Sequence, residues 1–474
     1  MSKKRIVLIG YPAVYFLPFG RSMETHGFDV YWVCGLTSGG RYLERNGVAP
    51  DHVLDVNAGF RGADGISREE RNRLSELESP AGPMINDLIL MDRILRRKPA
   101  GYAHGYLAHL HSVIEPFLQR NRIELATSWR DTALQLLGML ICRKLEIPWI
   151  VPTRIRIPQE MYGFCSAHYT QSFIPLREVT SVDREWAEGF LRDFRARKHR
   201  PALKIAARTY WDVLCLLPTH MSAFWFELKR APADYRNDCA RYSVSRLIWM
   251  YLRRRINLAL YKLLPPYAPI GRGPYCLYAL HTQPESSIDV ASSFFSDQIG
   301  LIRMIARSLP ATSELYVKVH PTDVDGQPPA FYREIGQIPG VRILHYAHES
   351  RALVDGCQVV FALTGTIAYE AALLGKPVIV FARNFFNDLP NVRYCGTPEA
   401  LPAVVRAAMQ DVARDSEPEI VEVLARLKAW SFPGEVSRLH EKSSPLLRDS
   451  DLATLAEAYH TLHTRLRPVP RNEG

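Results

Sequence analysis

Three stretches in the second half of the chain end an apolar run with residues able to hold an anion. Tyr275–Leu280 is followed by His281-Thr282-Gln283-Pro284-Glu285-Ser286-Ser287. Leu315–Val319 is followed by His320-Pro321, and Val359–Leu363 by Thr364-Gly365-Thr366, with Glu370 one turn further on. A glycine between two threonines lets the backbone approach a ligand. Hydroxyls and free N–H groups at a helix start suit a phosphate. His320 before Pro321 has a restricted backbone and can aim a ring N–H at the same group. Glu370 can accept hydrogen bonds from ribose hydroxyls. Singly, each has a plainer use: a helix cap, a strand-end histidine, a charge on a helix face.

The first half offers a second set. Trp129-Arg130-Asp131 follows the apolar run Ile123–Ser128. Asp131 is placed either as a helix N-cap or as a carboxylate serving as general base or nucleophile. Arg154 and Arg156 follow the run Pro148–Val151 and could bind an anionic donor or acceptor. The loop Gly10–Gly20 ends the first strand. Two patterns carry less. Asp323-Val324-Asp325 has the form of a metal–diphosphate site but reads as a surface turn. Lys376 is followed by Pro377, where a P-loop needs Ser or Thr.

The elements that must position these residues alternate. Short apolar runs at Arg5–Ile9, Asp29–Cys34, His52–Val56, Ile123–Ser128 and Pro148–Val151 read as strands. Helical patterns at Gly20–His26, Met84–Arg97, Gly105–Gln119 and Thr132–Leu145 lie among them, and the polar stretch Gly59–Ser79 reads as a loop. A second such series comprises strands Tyr275–Leu280, Leu315–His320, Val341–Leu344, Val359–Leu363 and Pro377–Phe381. Its helices are Asp297–Ser308, Thr366–Leu374, Glu399–Met409 and Glu417–Trp430, and a last helix spans Asp451–Arg465. Such alternation predicts parallel sheets covered on both faces, with ligands beyond the carboxyl ends of the strands. The fold class is therefore α/β, with two Rossmann-like domains, residues 1–176 and 268–440. The last helix, 441–474, is free to return to the first domain. Between the domains, residues 177–267 lack a strand run and interleave Trp186, Trp211, Trp225 and Trp249 with Arg253-Arg254-Arg255, which reads as a helical module.

Charge follows the same division. The 474 residues carry a formal net charge of +10, and they are 47% hydrophobic and 23% charged, which excludes a mostly disordered chain. From Arg177 to Arg272 there are 19 basic and 9 acidic residues, so the whole surplus sits there. This favours a neutral enzyme body with one basic module over a nucleic-acid-coating protein. The first apolar run reaches Gly10 after four residues, too short for a signal peptide. No apolar run approaches the ~20 residues of a spanning helix. The eight cysteines include no Cys-x-x-Cys pair, so buried reduced thiols in a cytoplasmic protein are expected.

The segment Leu280–Phe381 resembles the capsule polysaccharide biosynthesis family, which includes bacterial β-Kdo transferases. The matching residues are His281–Ser287, Asp297-Gln298, Leu315-Tyr-Val-Lys318-Val-His320-Pro321, Thr364-Gly-Thr-Ile-Ala-Tyr-Glu370-Ala371 and Gly375–Phe381. The resemblance implies a GT-B fold and a glycosyltransferase of capsular or lipopolysaccharide synthesis. It would move a sugar from a nucleotide donor, CMP-Kdo or a similar compound, to a glycan or lipid-linked acceptor. It further implies a donor side built from Gln283, Glu285, Ser286, Lys318, His320, Pro321, Thr364, Gly365, Thr366 and Glu370, with no metal and no bound cofactor. Asp131 is the expected catalytic carboxylate by position alone, and Arg154 and Arg156 the anion or acceptor contacts. A UDP-sugar 2-epimerase shares this architecture, and a non-catalytic capsule assembly or export factor is the remaining alternative. Basic, aromatic-rich helices also suit an anionic inner-membrane surface, so the module is the part expected to meet lipid or anionic glycan.

Overall fold

A computed structural model describes residues 3–62, 64–80, 82–129, 131–158, 160–166, 172–196, 239, 241–261, 270–271, 273–320, 323, 325–410, 416–434 and 449–466. Pro321, and residues 197–238 of the basic module, lie outside them. The chain divides into two compact units.

The first unit holds β1 (Lys4–Ile9), β2 (Phe28–Cys34), β3 (Val53–Asp55), β4 (Leu125–Ser128), β5 (Trp149–Ile155) and β6 (Met161–Cys165). The sheet order is Phe432–Pro433, β6, β5, β4, β1, β2, β3. The run from β3 to β5 is parallel, with the order 3-2-1-4-5 of a doubly wound sheet. Residues Ile6–Ile9 are completely buried, as a central parallel strand covered on both faces requires. The strand expected over Pro148–Val151 runs on to Ile155. Beyond Ile150 it leaves β4 and pairs antiparallel with β6, so Pro152 sits where only one neighbour needs hydrogen bonds. Arg154 is thus inside a strand, opposite Tyr162, rather than in a loop after it.

Two further expectations need correction. Most of the Gly10–Gly20 loop is helix, because the helix starts at Ala13, directly after Pro12, and runs to Thr25. The polar Gly59–Ser79 loop contains the helix Arg68–Ser75. It is held by a capping box in which Ser67 Oγ accepts from Glu70 N–H and Glu70 Oε2 accepts from Ser67 N–H. The helix Asp449–Leu466 belongs to this unit. Its buried Tyr459 hydroxyl lies 2.7 Å from Thr127 Oγ1 on β4, which lies 3.0 Å from the Tyr11 hydroxyl.

The second unit holds β7 (Tyr275–Ala279), β8 (Glu314–Lys318), β9 (Val341–Leu344), β10 (Val360–Ala362), β11 (Val378–Val380) and β12 (Val392–Tyr394). Every pairing is parallel, and the order β9-β8-β7-β10-β11-β12 is the 3-2-1-4-5-6 order of the Rossmann fold. One face is sealed by Tyr278, Leu315, Val317, Phe361 and Ile379 against the helices Gln298–Ser308 and Leu401–Gln410. Alternation sends Lys318, and the residues two beyond each strand end, to the other face. Two helices of the basic stretch belong to this unit, while its described residues from Trp225 to Ser243 belong to the first. Helix Ser181–Arg195 pairs Arg184 with Glu422 and gives an Arg195 guanidinium hydrogen bond to the Leu373 carbonyl, while helix Val244–Tyr261 follows Ser243.

Candidate functional site

Strand register assembles the second-unit site. Ala279 pairs with Lys318 and Tyr278 with Phe361. Extending both pairings past the strand ends sets His281 between His320 and Thr364. These are the three strand-end residues on the sheet's second face, at the point where strand order reverses and open α/β sheets bind ligands. Side-chain bonds then lock the row. His281 Nε2 lies 2.6 Å from the Thr364 carbonyl oxygen, so this nitrogen carries the proton. Thr282 Oγ1 lies 3.1 Å from His320 Nδ1.

Gly365 caps the helix Thr366–Leu373 with φ +124°, a conformation open to glycine and not to residues with a Cβ. A Cβ there would also stand 3.2 Å from His281 Nε2. Among the described residues no side chain caps this helix, so its first N–H groups are not taken up by a capping side chain. The Thr364 side chain is buried, and its hydroxyl has no hydrogen-bond partner among the described residues. A helix N-terminus with a buried hydroxyl beside it offers the kind of donors from which an oxyanion accepts.

Charge lies just below this turn. Lys318 is buried, and its ammonium donates to Ser350 Oγ at 2.7 Å. Burial pulls its pKa down, while the nearby Glu370 carboxylate opposes that. Glu370 is pushed up to about 7 by burial, against the pull of Arg351 and Lys318. Burial, and then the Lys318 charge, lower His320, so its imidazole is neutral at pH 7. It can meet a phosphate as a neutral hydrogen-bond donor, not as a fixed cation.

Some expected contacts are turned inward. Gln283 Nε2 donates to Asp289 Oδ1 at 3.2 Å and to the Ser296 carbonyl at 3.1 Å, bracing the loop after β7. Glu285 is exposed and its carbonyl starts the short helix Ser286–Asp289. The residue that sequence reasoning passed over is Gln298. Its buried amide accepts from His281 N–H and donates to the His281 carbonyl, at 2.9 and 3.0 Å. Its only signal was its place beside Asp297 among the family-like residues. Asp323 is buried, and among the described residues no group of three or more His, Cys, Asp or Glu could hold a metal ion.

In the first unit, Asp131 is not the N-cap. That place is taken by Thr132, whose hydroxyl accepts from Gln135 N–H. The Asp131 carboxylate instead pairs with Arg93 Nη2 at 2.5 Å, and its backbone N–H donates to Gln135 Oε1. The same glutamine donates to the Gly10 carbonyl and thereby ties the loops after β1 and β4. The neighbouring Asp92, unnoticed in the sequence, is the structural carboxylate. It is buried and accepts from the backbone N–H groups of Ile94, Leu95 and Ala133. Arg154 and Arg156 are partly buried and stand two residues apart, one inside β5 and one just past it.

Comparisons with known proteins bear on this arrangement. A comparison with curated proteins finds no match. Among solved structures, the chain aligns with UDP-GlcNAc 2-epimerase of Methanocaldococcus jannaschii at 14% identity, covering 89% of this chain and 99% of that one, with a TM-score of 0.26. It aligns with the β-Kdo 2,4-transferase KpsC of Thermosulfurimonas dismutans at 13% identity, over 72% and 87%, with a TM-score of 0.35. A glycosyltransferase of Rickettsia africae aligns at 9% identity, over 98% and 99%, with a TM-score of 0.29. The family model described as capsule polysaccharide biosynthesis protein matches residues 240–390. That span contains the whole strand-end row from His281 to Glu370, so across it the chain matches the capsule polysaccharide biosynthesis family, as its motifs led one to expect.

Proposed function

We propose that this protein is a glycosyltransferase of bacterial surface-polysaccharide synthesis that takes its sugar from a nucleotide donor. One observation carries the reading: the His281–Thr364 tie holds a glycine-capped helix start, with the buried Thr364 hydroxyl, next to His320. Donor phosphate would lie against the N–H groups from Thr366 onward and the Thr364 hydroxyl. His320 would donate a neutral N–H to the oxygen on which charge grows as the sugar leaves. Glu370 would take the ribose hydroxyls, with Lys318 adding positive potential from beneath. On this reading the leaving phosphate is stabilised by the protein's own donors, without a metal. Asp131 would accept the proton of the attacking hydroxyl, with Arg93 holding its carboxylate in place. Arg154 and Arg156 would bind an anionic acceptor.

The test is two-stage. Thermal shifts with a panel of nucleoside mono- and diphosphates identify the base, with CMP expected to stabilise most. Turnover of the matching nucleotide sugar is then measured with and without a glycan acceptor, CMP-Kdo first. His320→Ala should lower transfer by about two orders of magnitude or more. Full transfer in that variant would sink the assignment, and turnover of UDP-GlcNAc without acceptor would favour an epimerase.

A further inference from the structure

The helix Val244–Tyr261 is folded with its apolar side outward. Ile248, Leu252, Ile256 and Leu260 recur every four residues and are 44%, 53%, 57% and 40% exposed; Trp249 beside them is 45% exposed. These five are nearly half of the eleven large apolar side chains exposed among the described residues. At about 100° per residue the row drifts by about 40° per step, so it forms one continuous stripe along ~18 Å of helix. The helix is attached at the edge of this stripe: Asn257, about 60° beyond Leu260 on the wheel, is buried and donates to the Asp325 carbonyl at 3.2 Å, on the loop that follows β8.

Arginines frame the stripe. On the same wheel Arg255 falls on one border and Arg246 and Arg253 on the other, and both of the latter lean over the Trp249 ring, 4.2 and 5.2 Å from its centroid. From Val244 to Tyr261 there are four arginines and no acidic residue. No helix of the described residues is long and apolar enough to cross a membrane. An apolar stripe with a tryptophan and basic borders, on a helix that does not span, has the chemistry of an element lying in the headgroup layer of an acidic bilayer. A protein partner matched to this surface would need an acidic rim around an apolar groove; a bilayer with anionic lipid supplies both at once.

We propose that the Val244–Tyr261 helix seats Ile248, Trp249, Leu252, Ile256 and Leu260 in an anionic lipid surface, with the bordering Arg253 and Arg255 on the phosphates. Asn257 ties the helix to the loop after β8, so lipid contact is made beside the strand-end row. The surface therefore suits an acceptor that is itself held in the membrane.

The full chain is tested by flotation with vesicles of phosphatidylcholine alone or with 30% phosphatidylglycerol as an order-of-magnitude choice of acidic content (roughly that of a bacterial inner leaflet). Binding is expected to acidic vesicles, to weaken in high salt, and to be slight with phosphatidylcholine alone. Leu252→Glu with Ile256→Glu should lower partitioning about tenfold or more and leave the thermal midpoint and nucleotide response unchanged. Arg253→Glu with Arg255→Glu should lower it too and flatten the salt dependence, since each arginine near an acidic surface strengthens binding about fivefold. Absence of flotation with acidic vesicles, undiminished flotation of the Leu252/Ile256 variant, or a self-association that this variant abolishes would each overturn the proposal. Nucleotide binding is measured on the same samples, so failure here is separable from failure of the glycosyltransferase reading.

Discussion

His281 Nε2 and the Thr364 carbonyl oxygen, 2.6 Å apart, join the loops that follow β7 and β10. These strands are neighbours in space, yet 80 residues of chain separate them, and the bond crosses the one place where the strand order reverses. It fixes the last carbonyl before Gly365, and so the direction in which the next helix presents its N–H groups.

Breaking that bond should be felt first in stability. His281→Ala leaves a partly buried carbonyl without its donor, at a cost of about 1–3 kcal/mol. His281→Gln, which keeps an N–H donor, should recover part of it. Gly365→Ala should also cost about 1–3 kcal/mol, because φ +124° excludes a Cβ. Denaturant midpoints measure all three. Both damaging variants should lose the nucleotide-induced thermal shift. Undiminished stability of His281→Ala would show that the bond contributes nothing.

Glu370 should leave a pH signature. Its carboxyl is raised from 4.5 to about 7 in the folded chain, chiefly by burial. Between those values the folded chain keeps a proton that the unfolded chain has released. Its contribution to stability therefore falls as pH rises through this window and is fully unfavourable above 7. Glu370→Gln cannot ionise. Relative to the native chain it should gain about 3 kcal/mol between pH 4.5 and pH 8. Parallel stability curves for the two proteins would contradict the buried placement of this carboxyl.

Much of this was legible in the sequence because parallel strands are nearly continuous apolar runs. Val7 to Ile9 and Val378 to Val380 announce themselves, and a strand's end locates the residue that follows it. What was hidden depends on contacts between distant residues or on elements with little apolar surface. Helix Arg68–Ser75 buries a single residue, Leu74, so it shows no periodic stripe; its only local mark is the capping box. The strand Phe432–Pro433 is two residues long and exists through pairing with Tyr162 and Met161. Thr132 displaced Asp131 from the N-cap because Asp131 is engaged by Arg93, 38 residues away. The exposed stripe on Val244–Tyr261 was hidden differently: periodicity shows that a helix has an apolar side, not which way that side faces.

Asp92 and Asp131 should separate cleanly on mutation. Asp92→Ala strands three backbone N–H groups, two of them buried, and should cost about 2–3 kcal/mol. Asp131 is 41% exposed and its carboxylate pairs with Arg93, so Asp131→Asn should change stability by less than about 1 kcal/mol. If Asp131 is the general base, the same variant should lose about two orders of magnitude or more in transfer while binding nucleotide normally. Chemical denaturation and single-turnover transfer check the pair. Full transfer in Asp131→Asn would remove it from the mechanism.

His320 should titrate below an ordinary histidine, for two causes that can be separated. Burial is the larger, and the Lys318 ammonium the smaller. Because its folded pKa is depressed, the unfolded chain takes up the proton first as pH falls below about 6.5. The group's contribution to stability is therefore complete above that value and is lost on acidification. Lys318→Met keeps the buried chain length and removes the charge, so the His320 ring should titrate at higher pH in this variant, as read from its ring-nitrogen NMR signals. The same substitution leaves Glu370 without one of its two cations, which should raise that carboxyl further. The two shifts have the same direction and the same effect on charge: His320 becomes more readily positive and Glu370 less readily negative. Both partly offset the lost ammonium, so nucleotide affinity near pH 6 should fall less than the loss of a lysine alone predicts. A His320 titration that does not move in Lys318→Met would show that burial alone sets it and that the lysine is electrostatically remote from the proposed phosphate position.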